Sequence, residues 1–248
     1  MGARSGRPPV SDRDLFLALD TATRHPTLAL IAVDGAVIDE RHWASEHRHG
    51  EQLLQHLDEL MTVASARPRD LSGLIVGTGP GSFTGLRIGL ATAKTIAYSI
   101  DVPLVGVSTT HALALAAAAA EGEQAEFAVT LPAGAADRYV HRLVVAEGVV
   151  RESGPPMLAL PGPGFDEAVG EALVVAIDLD GAQDISDDAT ARGEEALAGL
   201  GRALASLGLA ALATGQADDV ARLVPAYVAL PRGIAKAAAE MTWSPDLR

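Results

Sequence analysis

Apolar residues along the chain fall first into short strand-like runs and then into helical repeats. Leu15–Asp20 and Thr27–Val33 are almost wholly apolar, Asp34-Gly35 supplies the residues of a tight hairpin turn, and Ala36–Ala44 returns as a third strand. From Gly50, the positions Leu53, Leu54, Leu57, Leu60, Met61 and Ala64 recur at helical spacing, with Glu51, Gln55, Asp58 and Glu59 opposite, until Pro68 stops the helix. Leu74–Gly77 predicts a strand, Ser82–Ile100 a helix, Leu104–Val107 a strand and Thr109–Ala120 a helix. The order is βββαβαβα.

The second half repeats this outline less clearly. Phe127–Leu131, Arg138–Val145 and Val149–Arg151 read as strands, and a bend at Pro161–Gly164 leads into a helix ending near Glu171. A strand at Leu173–Ile177, an acidic loop at Asp178–Asp188 and one helix at Ala189–Leu207 complete the pattern. Two such units in tandem predict an α/β protein of two βββαβα-type lobes related by duplication. The expected divisions are an N-terminal tail at 1–14, a first lobe at 15–108, a second at 109–224, and a C-terminal segment at 225–248 that packs back on the first lobe.

Composition narrows the function classes. A chain of 248 residues that is 48% hydrophobic can bury two small cores. Its longest apolar run, residues 111–120, is short of a membrane span, and the Arg-bearing N-terminus lacks an apolar centre, so a cytoplasmic protein without membrane contact is expected. The absence of cysteine excludes disulfides and thiolate chemistry. Net charge is −13, and the 71 residues from Arg151 to Ala221 hold thirteen Asp/Glu against three Arg. Such a field repels phosphate backbones, so any nucleic acid is expected to be met through a more basic partner.

Four features are candidates for chemistry. In GTGPGSFTGLRIG (77–89), Gly79 and Gly81 lead from a strand into a helix with Ser82 at its N-cap, which suits either a phosphate cradle or a tight structural turn. No lysine follows as in a Walker loop, and Thr84 breaks a GxSxG elbow. Asp20, at the end of the first strand beside two threonines, suits either Mg²⁺ and phosphate binding or a turn cap. Gly85, Gly89, Ala93 and Ala97 form a stripe of small residues flanked by Leu86 and Leu90; close approach by another helix and packing on the protein's own sheet both account for it. His42, His47, His49 and His56 crowd together, but none are spaced i+3 or i+4, which favours a polar helix entrance over a metal site.

LALDTATRHPTLAL at the first hairpin, His49 leading into EQLLQHLDELM, GTGPGSFTGLRIGLATAKTIAYSIDVPLVGVST (77–109) and PAYV near the C-terminus resemble, in order, the TsaB (YeaZ) family of bacterial tRNA threonylcarbamoyladenosine synthesis, historically grouped with the M22 glycoproteases. The resemblance is dense over residues 15–110 and thin beyond. It implies two lobes of the actin/Hsp70/sugar-kinase (ribonuclease H-like) fold. It also implies a non-catalytic subunit pairing with a TsaD homologue and a TsaE ATPase homologue, homodimeric in isolation, which meets tRNA only within the complex. ATP and metal would belong to the partner subunits, with no cofactor of its own. Where TsaD carries an HxxxH metal motif, this chain has Thr109 and Leu113, and His111 between them does not replace the pair. Relatives often read IDARRGEVY where this chain has LPAGAADRYV from Leu131, and their arginine after the C-terminal P-x-Y-[LV] is Ala229 here. With a homologous partner in view, the stripe and its flanking leucines (Gly85, Leu86, Gly89, Leu90, Ala93, Ala97) become the expected partner interface. Two rival functions stand: a lone M22-like metallopeptidase or ATPase, disfavoured by the missing histidines and by Ala22 where active relatives of the fold carry Gly, and a homodimeric regulator with no tRNA role.

Overall fold

A computed structural model describes residues 15–44, 49–122, 125–134 and 136–227, with side chains at 49–51 left aside. The N-terminal tail, His47, Ala229 and residues 228–248 of the C-terminal segment lie outside the described residues. Strands β1 (Leu15–Asp20), β2 (Thr27–Ala32) and β3 (Val37–His42) form the expected meander. The turn between β2 and β3 closes through Gly35, at φ +87°, whose N–H donates to Ala32 O at 2.9 Å. Helix α1 (His49–Val63), strand β4 (Leu71–Gly77), helix α2 (Phe83–Ile100), strand β5 (Leu104–Val107) and helix α3 (Thr109–Glu121) follow. The first sheet runs β3-β2-β1-β4-β5, antiparallel within the meander and parallel from β1 to β5.

Both faces of this sheet are covered, which explains why its central strands are apolar throughout rather than alternating. Leu17, Leu19, Leu28, Leu30, Leu74 and Val76 pack under α1 and α2. Ala18, Ala29, Ile31, Ile75 and Val105 point the other way, into a core shared with α3 and the second lobe.

The second sheet repeats the design. Strands β6 (Ala125–Pro132), β7 (Arg138–Ala146) and β8 (Val149–Glu152) form a meander, and after helix α4 (Pro163–Val169) strand β10 (Leu173–Ala176) joins β6 in parallel. The order β10-β6-β7-β8 mirrors β4-β1-β2-β3, so the two-lobed actin/Hsp70/sugar-kinase type of fold holds, without a counterpart of β5 among the described residues.

Two expectations need correction. A short strand β9 (Met157–Ala159) pairs with β7, although its three residues carry no periodic signal. The single helix expected at 189–207 is two helices, α5 (Asp187–Ala198) and α6 (Leu200–Ala213), meeting at 57°. Gly199 lies at the break, with space for a methyl only 3.0 Å from Ala116 Cβ, so α3 fixes the corner. Beyond it α6 crosses back onto the first sheet, where Gly208 presses on Ile75 and Ala29 lies beneath Gly201. Among the described residues no single helix is long and apolar enough to cross a membrane.

Candidate functional site

The C-terminal end of β1 meets the glycine loop and the start of α3 in one buried knot. Asp20, 1% exposed, accepts the Ala22 N–H on Oδ1 at 2.6 Å and the Thr109 hydroxyl on Oδ2 at 2.6 Å. Thr109 Oγ1 in turn accepts the Gly79 N–H at 3.0 Å, and the Thr109 N–H donates to Gly79 O at 2.9 Å. Ala22 O takes the Ser82 N–H at 2.6 Å, while Ser82 Oγ caps α2 by accepting the Gly85 N–H at 3.2 Å. Burial pushes the Asp20 carboxyl above its ordinary range, and the hydrogen bonds from Thr109 and Ala22 oppose that shift.

Glycine is required here by proximity. A methyl built on Gly77 would overlap Asp20 Oδ2, and one on Gly81 would overlap Ala22 O and stand 2.7 Å from Ala22 Cβ. The structure thus brings Asp20, Gly79, Gly81 and Ser82, separate features of the sequence, into one knot whose polar groups bond within the chain. The space left between the loop and the second lobe is a cavity of about 90 Å³ against Pro80, Phe83, Leu131, Tyr139 and Tyr227. Ordinary ligand pockets run to about 300–1,000 Å³.

The side chains at this strand end do not make a metal site. The one carboxylate is sealed, Thr109 is committed to it, and Leu113 at the second motif position is fully buried in the core. Among the described residues no group of three His, Asp or Glu side chains is placed to hold a metal ion. Of the crowded histidines, His56 stacks on Trp43 with ring centroids 4.2 Å apart and lies 3.5 Å from Glu59, as befits a polar helix entrance.

The small-residue stripe needs correction as a partner interface. Gly85, Leu86, Gly89, Leu90, Ala93 and Ala97 are all buried inside the chain. A methyl on Gly85 would overlap Thr21 O, and one on Gly89 would overlap Thr21 Oγ1 and lie 3.3 Å from Leu19 Cδ1. Thr21 Oγ1 also donates to Gly85 O at 2.7 Å, so the helix lies directly on the end of β1. The outward face of α2 is instead Thr84, Arg87, Ala91, Thr95 and Tyr98, the last 84% exposed.

Sequence reasoning missed three features. Thr109 was read only as a lost metal ligand, yet it links elements 89 residues apart in sequence. Arg24 bridges the lobes, its N–H donating to Asp178 Oδ2 at 2.8 Å and its guanidinium reaching Asp178 O and, at 3.7 Å, Asp180. His141 on β7 shares a 2.9 Å hydrogen bond with Thr110 and lies edge-on to His111, with ring centroids 5.4 Å apart. No local pattern signals such long-range pairs. In the LPAGAADRYV segment, Leu131 and Pro132 end β6, Arg138 to Val140 open β7, and the Ala133 N–H donates to Asp137 O at 3.0 Å. Beyond it, Ala226 N–H donates to Thr78 O at 2.8 Å and Tyr227 stacks on Phe83, so the described start of the C-terminal segment lies on the first lobe.

Duplicated lobes around a buried strand-end carboxylate define a two-lobed protein of the actin and sugar-kinase class. The chain belongs to the TsaD family, described as tRNA N6-adenosine threonylcarbamoyltransferase, whose family model matches residues 43–229. It is 38% identical over 99 residues to the tRNA threonylcarbamoyladenosine biosynthesis protein TsaB of Bacillus subtilis (strain 168) and 35% identical over 99 residues to that of Escherichia coli (strain K12). Each match covers 40% of this chain and 43% or 42% of the relative, so the chain spans less than half the length of these curated relatives. In fold it is similar to YeaZ from Pseudomonas aeruginosa, with a TM-score of 0.67 and 22% identity over 87% of this chain and 100% of that one.

Proposed function

We propose that the chain serves in tRNA threonylcarbamoyladenosine biosynthesis as a non-catalytic subunit, pairing with a TsaD-type transferase and working with a TsaE-type ATPase. The names of the B. subtilis and E. coli relatives support the process. The observation that carries the non-catalytic role is the Asp20–Thr109 knot, which fills the strand-end position with the chain's own hydrogen bonds. Catalysis, ATP and metal then fall to the partners. The protein meets tRNA in the cytoplasm only through the complex, because the acidic second half disfavours direct contact with phosphates. Pairing is assigned to the outward face of α2, where Ala91 and Tyr98 give apolar area between polar Arg87 and Thr95; in isolation the same face pairs two copies.

The test is reconstitution. This chain alone is expected to show no transferase, peptidase or sustained ATPase activity, to co-purify with a TsaD homologue, and to restore threonylcarbamoyl transfer when added to TsaD and TsaE homologues. Turnover by the pure chain that Asp20→Ala abolishes would establish the lone-enzyme reading instead. Full modification activity of the partners without this chain would leave the homodimeric regulator.

A further inference from the structure

Helix α2 is basic in an acidic chain. Phe83–Ile100 holds Arg87 and Lys94 and no Asp or Glu, whereas the whole sequence carries a net charge of −13. Lys94 turns back to the chain itself, its Nζ donating to Ala221 O at 3.3 Å. Arg87 is exposed, and among the described residues its guanidinium makes neither an ion pair nor a hydrogen bond. It lies instead over the Phe83 ring, with Cζ 5.2 Å from the centroid.

Phe83 is held in turn. Tyr227 stacks on it with ring centroids 5.0 Å apart, and one residue earlier the Ala226 N–H donates to Thr78 O at 2.8 Å, which pins this part of the chain against the first turn of α2. A guanidinium packed on an aromatic ring has lost side-chain freedom before any partner arrives, yet all of its N–H donors are unspent. Their fixed fork suits a carboxylate held through two parallel hydrogen bonds. Arginine beside tyrosine is also the composition that dominates binding energy at protein interfaces.

The occupant that fits is therefore one that brings negative charge. A second copy docking α2 on α2 supplies no carboxylate from that helix and leaves each Arg87 partly desolvated without a counter-ion, which works against affinity. A different chain whose facing helix carries Asp or Glu removes that cost. Resting on the assignment of pairing to the outward face of α2, we propose that Arg87 is the specificity-determining residue of that face: it selects a TsaD-type partner presenting a carboxylate over a second copy of this chain. Phe83 and Tyr227 are its positioning residues.

The full chain is titrated calorimetrically against the TsaD homologue of the same organism at low and high NaCl, and its self-association is measured by sedimentation. Arg87→Gln should weaken the heteropair roughly tenfold and flatten its salt dependence, while self-association tightens. Arg87→Lys, which keeps the charge without the fork, should fall between wild type and Arg87→Gln. Phe83→Leu should weaken the heteropair in the same direction, and Phe83→Tyr should restore it. Equal weakening of both kinds of pairing by Arg87→Gln would overturn the proposal. A heteropair that tolerates Arg87→Gln but is lost in Tyr98→Asp would overturn this inference alone, whereas one that tolerates both would overturn the assignment of pairing to α2 and this inference with it.

Discussion

Gly89→Ala separates the two readings of the small-residue stripe by the sign of its effect. Glycine in a helix interior costs about 1 kcal/mol relative to alanine, so on an open helix face the substitution would stabilise. Here the new methyl would overlap Thr21 Oγ1 and crowd Thr21 Cβ and Leu19 Cδ1, each 3.3 Å away. Turning Thr21 aside breaks its buried 2.7 Å bond to Gly85 O, a loss of about 1–3 kcal/mol, and overpacking adds about 1–3 kcal/mol. The net expectation is a destabilisation of about 2–3 kcal/mol, a fall of about 5–10 °C in the melting midpoint of a chain this size. Thr21→Ala removes the obstructing hydroxyl, so in that background Gly89→Ala should be close to neutral, giving a coupling of about 2 kcal/mol in a double-mutant cycle. Urea and thermal unfolding of the four proteins measure it. A Gly89→Ala protein that melts with the wild type yet fails to bind a TsaD homologue would refute the reasoning and restore the stripe as an interface.

Three further outcomes follow from the same contacts. Burial raises the Asp20 carboxyl, so the folded state holds a proton that the unfolded state has released; this contribution to stability is greatest below the ordinary carboxyl pKa and declines as pH rises through the raised value. Asp20→Asn should flatten that part of the profile, and identical pH dependence of unfolding in both proteins would contradict the assignment. Burial lowers both His141 and His111, with the nearby Glu152 opposing it, so stability should fall as pH drops below the ordinary histidine value of about 6.5; imidazole titration by NMR and the loss of this step in His141→Gln check it. At the interlobe bridge, Arg24→Ala should cost under about 1 kcal/mol because its side chain is 58% exposed, whereas Asp178→Ala, which strands the Arg24 N–H, should cost more; equal losses would show that the guanidinium contact dominates.

The first lobe was legible because its layers leave local traces: uniformly apolar β1 and β2 reveal a sheet covered on both faces, and Asp34-Gly35 reveals the turn. The glycine loop showed that backbone must come close to something, but not what. Thr21 lies 64 residues from Gly85 in sequence, and only folding reveals that the stripe meets this chain's own strand rather than another molecule's helix. The α5–α6 corner escaped for a related reason. Apolar periodicity continues through Leu197, Leu200 and Leu204, so the pattern reads as one helix, while the cause of the bend is Ala116 pressing on Gly199 from a different element.

The knot also bears on what a buried carboxylate does for the fold. Desolvating Asp20 works against stability, and its two hydrogen bonds offset that cost rather than exceed it, so an apolar residue of similar size could serve the core as well in energy alone. An apolar residue could not fix positions. Asp20 and Thr109 together specify how the end of β1, the Gly79 backbone and the first turn of α3 meet, and Thr21 and Ala22 then pin the start of α2 to the same point. A polar network satisfied on every side rigidifies what it joins. On the proposed pairing, the consequence is that α2, held at its N-terminus by this network and along its length by the glycine stripe, presents Arg87, Ala91 and Tyr98 in a fixed orientation, so that docking on this face would cost little ordering entropy.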